Sequence, residues 1–141
     1  MKRLLEQRLE FNKVFEIKSN NTPGLIPKSG FVLETDMMLE ELQEYRNANE
    51  EGDLVEIVDA IADQLYLAIG MVKKHGLQDI MEEVMDEVHR SNMSKVWEDG
   101  TIHKNEAGKV MKPSHFSPPK IKEILDNHFN KEINQTKLEL K

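Results

Sequence analysis

The string DLVEIVDAIADQLY at residues 53–66 sets Glu56, Asp59 and Asp63 three and four residues apart among apolar neighbours. On a helix that spacing stacks the three acids on one face. Leu54, Ile57, Val58, Ile61, Leu65, Ala68, Ile69 and Val72 cover the opposite side, with Val55, Ala62, Tyr66, Leu67 and Met71 on the flanks. A helix apolar nearly all round belongs in the interior or at a subunit contact, so its acidic stripe is expected to line a groove. The spacing predicts this helix over 54–74, ending near Gly76. Asp53 and Glu56 have the separation at which an N-cap and the third helical residue satisfy each other's amides.

Gly52 separates this helix from an expected one over 31–49, where Met37, Met38, Glu41, Leu42, Tyr45 and Ala48 share an arc. Glu44 lies one turn along the same edge, Glu40 at its boundary, and Glu34 also within it. Upstream, Leu5, Leu9, Phe11, Val14 and Phe15 predict an amphipathic helix over 2–18, followed by an irregular link at 20–30 packed by Leu25 and Ile26. Downstream, a fourth helix is expected from Leu77 through Val88 and on toward Trp97. Short links imply antiparallel neighbours. The fold expected is all-α, an antiparallel bundle of about four core helices with an irregular or hairpin C-terminal arm. The arm carries Asp99-Gly100 and Gly108, then Pro113, Pro118 and Pro119 before a short helix around Ile121 to Leu125. Residues 1–130 are expected to form one domain and 131–141 a polar tail.

The chain has 141 residues, no cysteine, and 26 acidic against 19 basic side chains, a net charge of −7. That balance argues against nucleic-acid binding. The lack of thiols removes disulfides, thiolate nucleophiles and zinc–thiolate sites. No apolar run is long enough for a membrane span, and Glu6 and Glu10 spoil any signal or transit peptide, so a cytoplasmic protein is expected.

Two facing acidic stripes would bring carboxylates together, and each like-charged pair at about 5 Å repels by roughly 3 kcal/mol at an effective dielectric near 20. All-oxygen ligands point to a hard divalent cation, Mg²⁺ first and Mn²⁺ second. Such an ion would attract the phosphates of a nucleotide and stabilise charge in phosphoryl transfer. A single Glu-x-x-Glu usually marks only a solvated face; the paired stripes leave that reading and the cation site both open.

Glu40-Glu41-Leu42-Gln43-Glu44 followed by Asp59-Ala60-Ile61-Ala62-Asp63-Gln64-Leu65-Tyr66 resembles the all-α nucleoside triphosphate pyrophosphohydrolases, the superfamily of MazG and phosphoribosyl-ATP pyrophosphohydrolase. Val88-His89-Arg90-Ser91-Asn92-Met93-Ser94-Lys95, Gly108 to Pro113, and Pro118-Pro119 are similar to one stand-alone branch of it. The resemblance spans about residues 30–125. It implies Mg²⁺-dependent cleavage of a nucleoside triphosphate to monophosphate and pyrophosphate by a homodimer or higher oligomer. It also implies that Glu41, Glu44 and Asp63 hold the metal and that Glu40 orients or deprotonates the attacking water. The family's Glu-x-x-Asp would need an acid at Ala60, so Asp59, or Glu56 with Asp59, must substitute. Asn92 and Lys95 match positions near the nucleotide, where an amide suits a base or sugar edge and an ammonium a phosphate. Lys109 and Tyr66 are weaker substrate-binding candidates, Tyr66 reading more naturally as core.

The competing reading is a noncatalytic helical oligomer acting as a nucleotide-binding or protein-interaction module through its Met-rich faces. Asp86-x-x-His89 has the spacing of half a di-iron site, but no second such motif exists. A P-loop is absent.

Overall fold

The computed structural model describes residues 1–139, with side chains described through residue 131. Five helices account for the regular structure: α1 (Lys2–Val14), α2 (Lys28–Glu51), α3 (Leu54–Lys74), α4 (Met81–Met93) and α5 (Ile121–Glu139). There is no strand among the described residues, only one antiparallel bridge between Lys104 and Val110. The all-helical class and the helical packing follow the sequence. The chain forms two compact units, Met1–Asp79 and the residues from Ile80 onward.

In the first unit α2 and α3 pack as a hairpin. Gly52 closes α2 in the left-handed conformation (φ 73°), which glycine adopts without steric cost. Asp53 then caps α3, its Oδ1 accepting from the amides of Val55 at 2.9 Å and Glu56 at 3.2 Å. The expected reciprocal cap is only half present, because the Asp53 amide donates to the Ala48 carbonyl at 2.9 Å. Small side chains form the helix contact: Ala48 and Ala60 are buried, Ala60 to 2% exposure. Gln64 Nε2 donates to the Glu41 carbonyl at 3.3 Å. Further along, Lys74 pairs with the buried Glu34 carboxylate.

α1 packs on α3 and ends earlier than the expected residue 18, because Glu16 turns left-handed (φ 56°). Its inward face also differs from the amphipathic reading. Arg8 and Asn12 are buried, while Leu9, Val14 and Phe15 are exposed. The following link is pinned to the C-terminal end of α3: the Asn20 amide donates to the Lys73 carbonyl at 3.0 Å and the Gly24 amide to that of His75 at 2.9 Å. Gly76 is required there twice over, by its φ of 69° and because a Cβ would lie 2.0 Å from the Thr22 carbonyl oxygen. Leu25 does not pack this link as expected; it is almost wholly exposed.

In the second unit α4 begins at Met81 rather than Leu77, after a turn at 78–80. It pairs with α5 through Glu87, which accepts two hydrogen bonds from Arg90 at 2.7 and 2.8 Å and one from the Lys120 amide at 2.8 Å. The arm between these helices is irregular, held by backbone bonds from Asn105 to Lys109 and from Met111 to His103 and by a Trp97–His103 ring contact at 4.5 Å. The polar residues after Phe129 continue α5 to Glu139.

Candidate active site

Acids of α2 and α3 act on one another electrostatically across the hairpin of the first unit. Glu41 is half-buried, and its Oε2 is sealed from solvent with no hydrogen-bond partner. Its pKa is raised, first by desolvation and then by the negative charges of Glu44, Asp63, Glu40 and Asp59 in that order. Two of those four groups come from α3, so charges of both helices reach the Glu41 carboxyl. Ala60, where an acid was lacking, is packed into the helix contact, and the acid beside it, Asp59, is among the charges acting on Glu41. Glu56 sits in the first turn of α3, just after the Asp53 cap.

Glu40, Glu44, Asp59 and Asp63 are exposed, and among the described residues no three acidic or imidazole groups converge closely enough to hold an ion as they stand. Repulsion between like charges favours rotamers that hold such carboxylates apart. The donor chemistry is nevertheless that of a hard-cation site: all oxygen, on two rigid helices, with one sealed acceptor atom lacking a donor. Glu34, near the start of α2, also has a sealed Oε2 without a donor, but its Oε1 pairs with Lys74.

Of the other expected site residues, Tyr66 is half-buried, edge-on to Phe11 at 5.6 Å and beneath the Arg8 guanidinium at 4.7 Å, which makes it part of the α1–α3 packing. Asn92 and Lys95, in the second unit, bond to each other, the ammonium donating to Asn92 Oδ1 at 2.7 Å. Lys109 lies exposed on the arm, its amide held by Asn105 Oδ1 at 2.9 Å. Spacing alone missed Arg8, Asn12 and the Lys74 partner of Glu34. The one available signal was that Leu5, Arg8 and Asn12 follow the three-and-four spacing of a single helix face.

The described helices include none long and apolar enough to cross a membrane. The phosphoribosyl-ATP pyrophosphohydrolase family matches residues 8–92, from α1 to the end of α4, and leaves the arm outside the match. No curated protein matches the chain. The match covers more than half of the sequence, so the chain belongs to that family, within the MazG-like nucleotide pyrophosphohydrolase superfamily.

Proposed function

We propose that this member of a pyrophosphohydrolase family is a Mg²⁺-dependent enzyme that hydrolyses a (deoxy)nucleoside triphosphate or related nucleotide to the monophosphate and pyrophosphate. The observation that carries the reading is Glu41, which has a sealed oxygen without a donor and whose pKa is raised by desolvation and by carboxylates from both α2 and α3. A divalent ion there offsets their repulsion, turns the groove attractive to phosphate and stabilises charge on the transferring phosphoryl group. Glu41, Glu44, Asp59 and Asp63 are the ligand set, Asp59 standing in for the missing acid at 60 and Glu56 being the alternative to it. Mn²⁺ fits the same oxygens.

Glu40, exposed at the boundary of the stripe, takes the proton of the attacking water. The water oxygen bonds to phosphorus as the bridging oxygen departs with pyrophosphate. Asn92, Lys95 and Lys109 are the candidates for contacts to base, sugar and phosphate, with a cytoplasmic setting assumed. A panel of ribo- and deoxyribonucleoside triphosphates incubated with Mg²⁺ tests this directly: pyrophosphate and monophosphate should appear in equal amounts from at least one. A folded sample that releases none from any of them counts against it.

A homodimer or higher homo-oligomer is part of the proposal. Leu54 and Val55 are 70% and 75% exposed, and Val58, Ile61 and Leu65 continue the exposed row along α3. An apolar row of that length on a helix otherwise rich in Leu, Ile and Val matches a second copy of the same helix better than water. Sedimentation should give at least twice the chain mass, and Val58→Glu should lower it.

A further inference from the structure

The proposed reaction leaves two buried cations of the first unit without a task, Arg8 and Lys73, and only Arg8 has a sealed nitrogen without an acceptor. Arg8, on α1, is 4% exposed, and its Nε is sealed from solvent without an acceptor. Among the described residues it has no carboxylate partner; the rings of Phe11 at 5.1 Å and Tyr66 at 4.7 Å lie against it. Aromatic faces hold a guanidinium in place, yet they supply no oxygen acceptors for its five N–H groups. A buried charge left so is costly unless something pairs with it.

We propose that Arg8 is a polyphosphate-binding residue, receiving phosphate oxygens of the substrate beyond the reacting phosphorus and of the pyrophosphate product. The inference rests on the hydrolase reading above. Three features favour it over a purely structural arginine. First, α3 is notched to admit the guanidinium: a Cβ at Gly70 would lie 2.6 Å from Arg8 Nη2 and 2.7 Å from Cζ. Second, Gly70 follows Asp63 by seven residues, two turns along nearly the same face and about 10 Å along the axis. The Gly70 notch that holds the guanidinium thus lies along α3 from Asp63 by about the length of an extended triphosphate.

Third, the terminal nitrogens of Arg8 are not among the sealed atoms, so the little surface this 4%-exposed residue retains lies at the planar fork that suits phosphate. Lys74, further along α3, is already committed to Glu34. Asn12 Oδ1, one turn from Arg8, is likewise sealed without a donor. A water between Asn12 and Arg8 would serve both hydrogen bonds and still leave the positive charge unmet. A triphosphate carries more negative charge than one divalent ion offsets, and Arg8 supplies the remainder from the protein side.

The test uses inorganic pyrophosphate without divalent metal, so that binding depends on neither turnover nor the carboxylate site. Calorimetry should show pyrophosphate binding to the wild-type chain, weakened by roughly tenfold or more in Arg8→Met and by less in Arg8→Lys. In Mg²⁺ turnover assays Arg8→Lys should raise KM more than it lowers kcat. Pyrophosphate affinity unchanged in folded Arg8→Met overturns the proposal. Should Arg8→Met fail to fold, the Arg8 Nε–H resonance of the wild-type protein decides: it moves on titration with pyrophosphate and not with a nucleoside, or the proposal is wrong. Absence of nucleotide hydrolysis with this binding intact would remove the hydrolase reading while leaving the anion site.

Discussion

The two units treat their polar groups in opposite ways. In the second, Glu87 is bonded by Arg90 and Lys120, Ser94 accepts from the Ser117 amide, and Asp99 Oδ1 accepts from Thr101, so its charges and hydroxyls are spent on holding the chain. In the first, Glu41 Oε2, Arg8 Nε and Asn12 Oδ1 are sealed with nothing to bond, while the apolar row of α3 faces out. Trp97 Nε1 is the exception in the second unit. Unmet polar groups inside and unmet apolar groups outside are costly for an isolated chain. Both costs fall if the inner groups take a charged ligand and the outer row takes a second copy.

The contrast breaks first at the carboxylates. Glu41→Gln and Asp63→Asn should each reduce turnover by at least roughly a thousandfold, about 4 kcal/mol in barrier, with folding intact. Because the Glu41 pKa is raised in the folded state, its contribution to metal-free stability is fully present below the ordinary carboxylate value and falls as pH rises through the raised value, a slope that Glu41→Gln removes. Retained turnover in either variant would move the chemistry elsewhere.

Next comes Glu34, whose carboxylate is 2% exposed against Lys74. Glu34→Ala strands the ammonium and should cost about 3 kcal/mol in denaturant unfolding; a loss below about 1 kcal/mol would mean that Lys74 reaches water unaided. Asp53→Ala removes the α3 cap and should cost about 1 kcal/mol, read as a shift in denaturation midpoint.

The smallest effect is expected in the second unit. Its Glu87 carboxyl is held down to about 2 by the Arg90 hydrogen bonds, helped by the Lys120 amide. The stabilisation is therefore present above the ordinary carboxylate value of 4.5 and is lost as pH falls toward about 2. Glu87→Gln should flatten that acid limb and leave turnover at neutral pH unchanged.

These residues also show what a one-dimensional pattern carries. The bounds of α3 were legible in full, since Asp53 caps it and Gly76 ends it, and both signals are local. The acidic stripes were legible because three-and-four spacing is itself the geometry of a helix face. The inward face of α1 was not. Hydropathy sends an arginine to water, and only the Gly70 notch with the Phe11 and Tyr66 rings, none of them readable as a set, brings Arg8 inside. Glu34 and Lys74 stand 40 residues apart, so no spacing rule could join them. The start of α4 slipped because the left-handed turn at Gly76 spends several residues redirecting the chain before a new helix can begin.

On the proposed mechanism, acids from α2 and α3 share one divalent ion. Titrating Mg²⁺ calorimetrically into the wild-type chain and into Asp63→Asn, each with a nonhydrolysable triphosphate present, tests it most directly. Saturable binding in the first and its loss in the second is the expected result; equal heats in the two would contradict it.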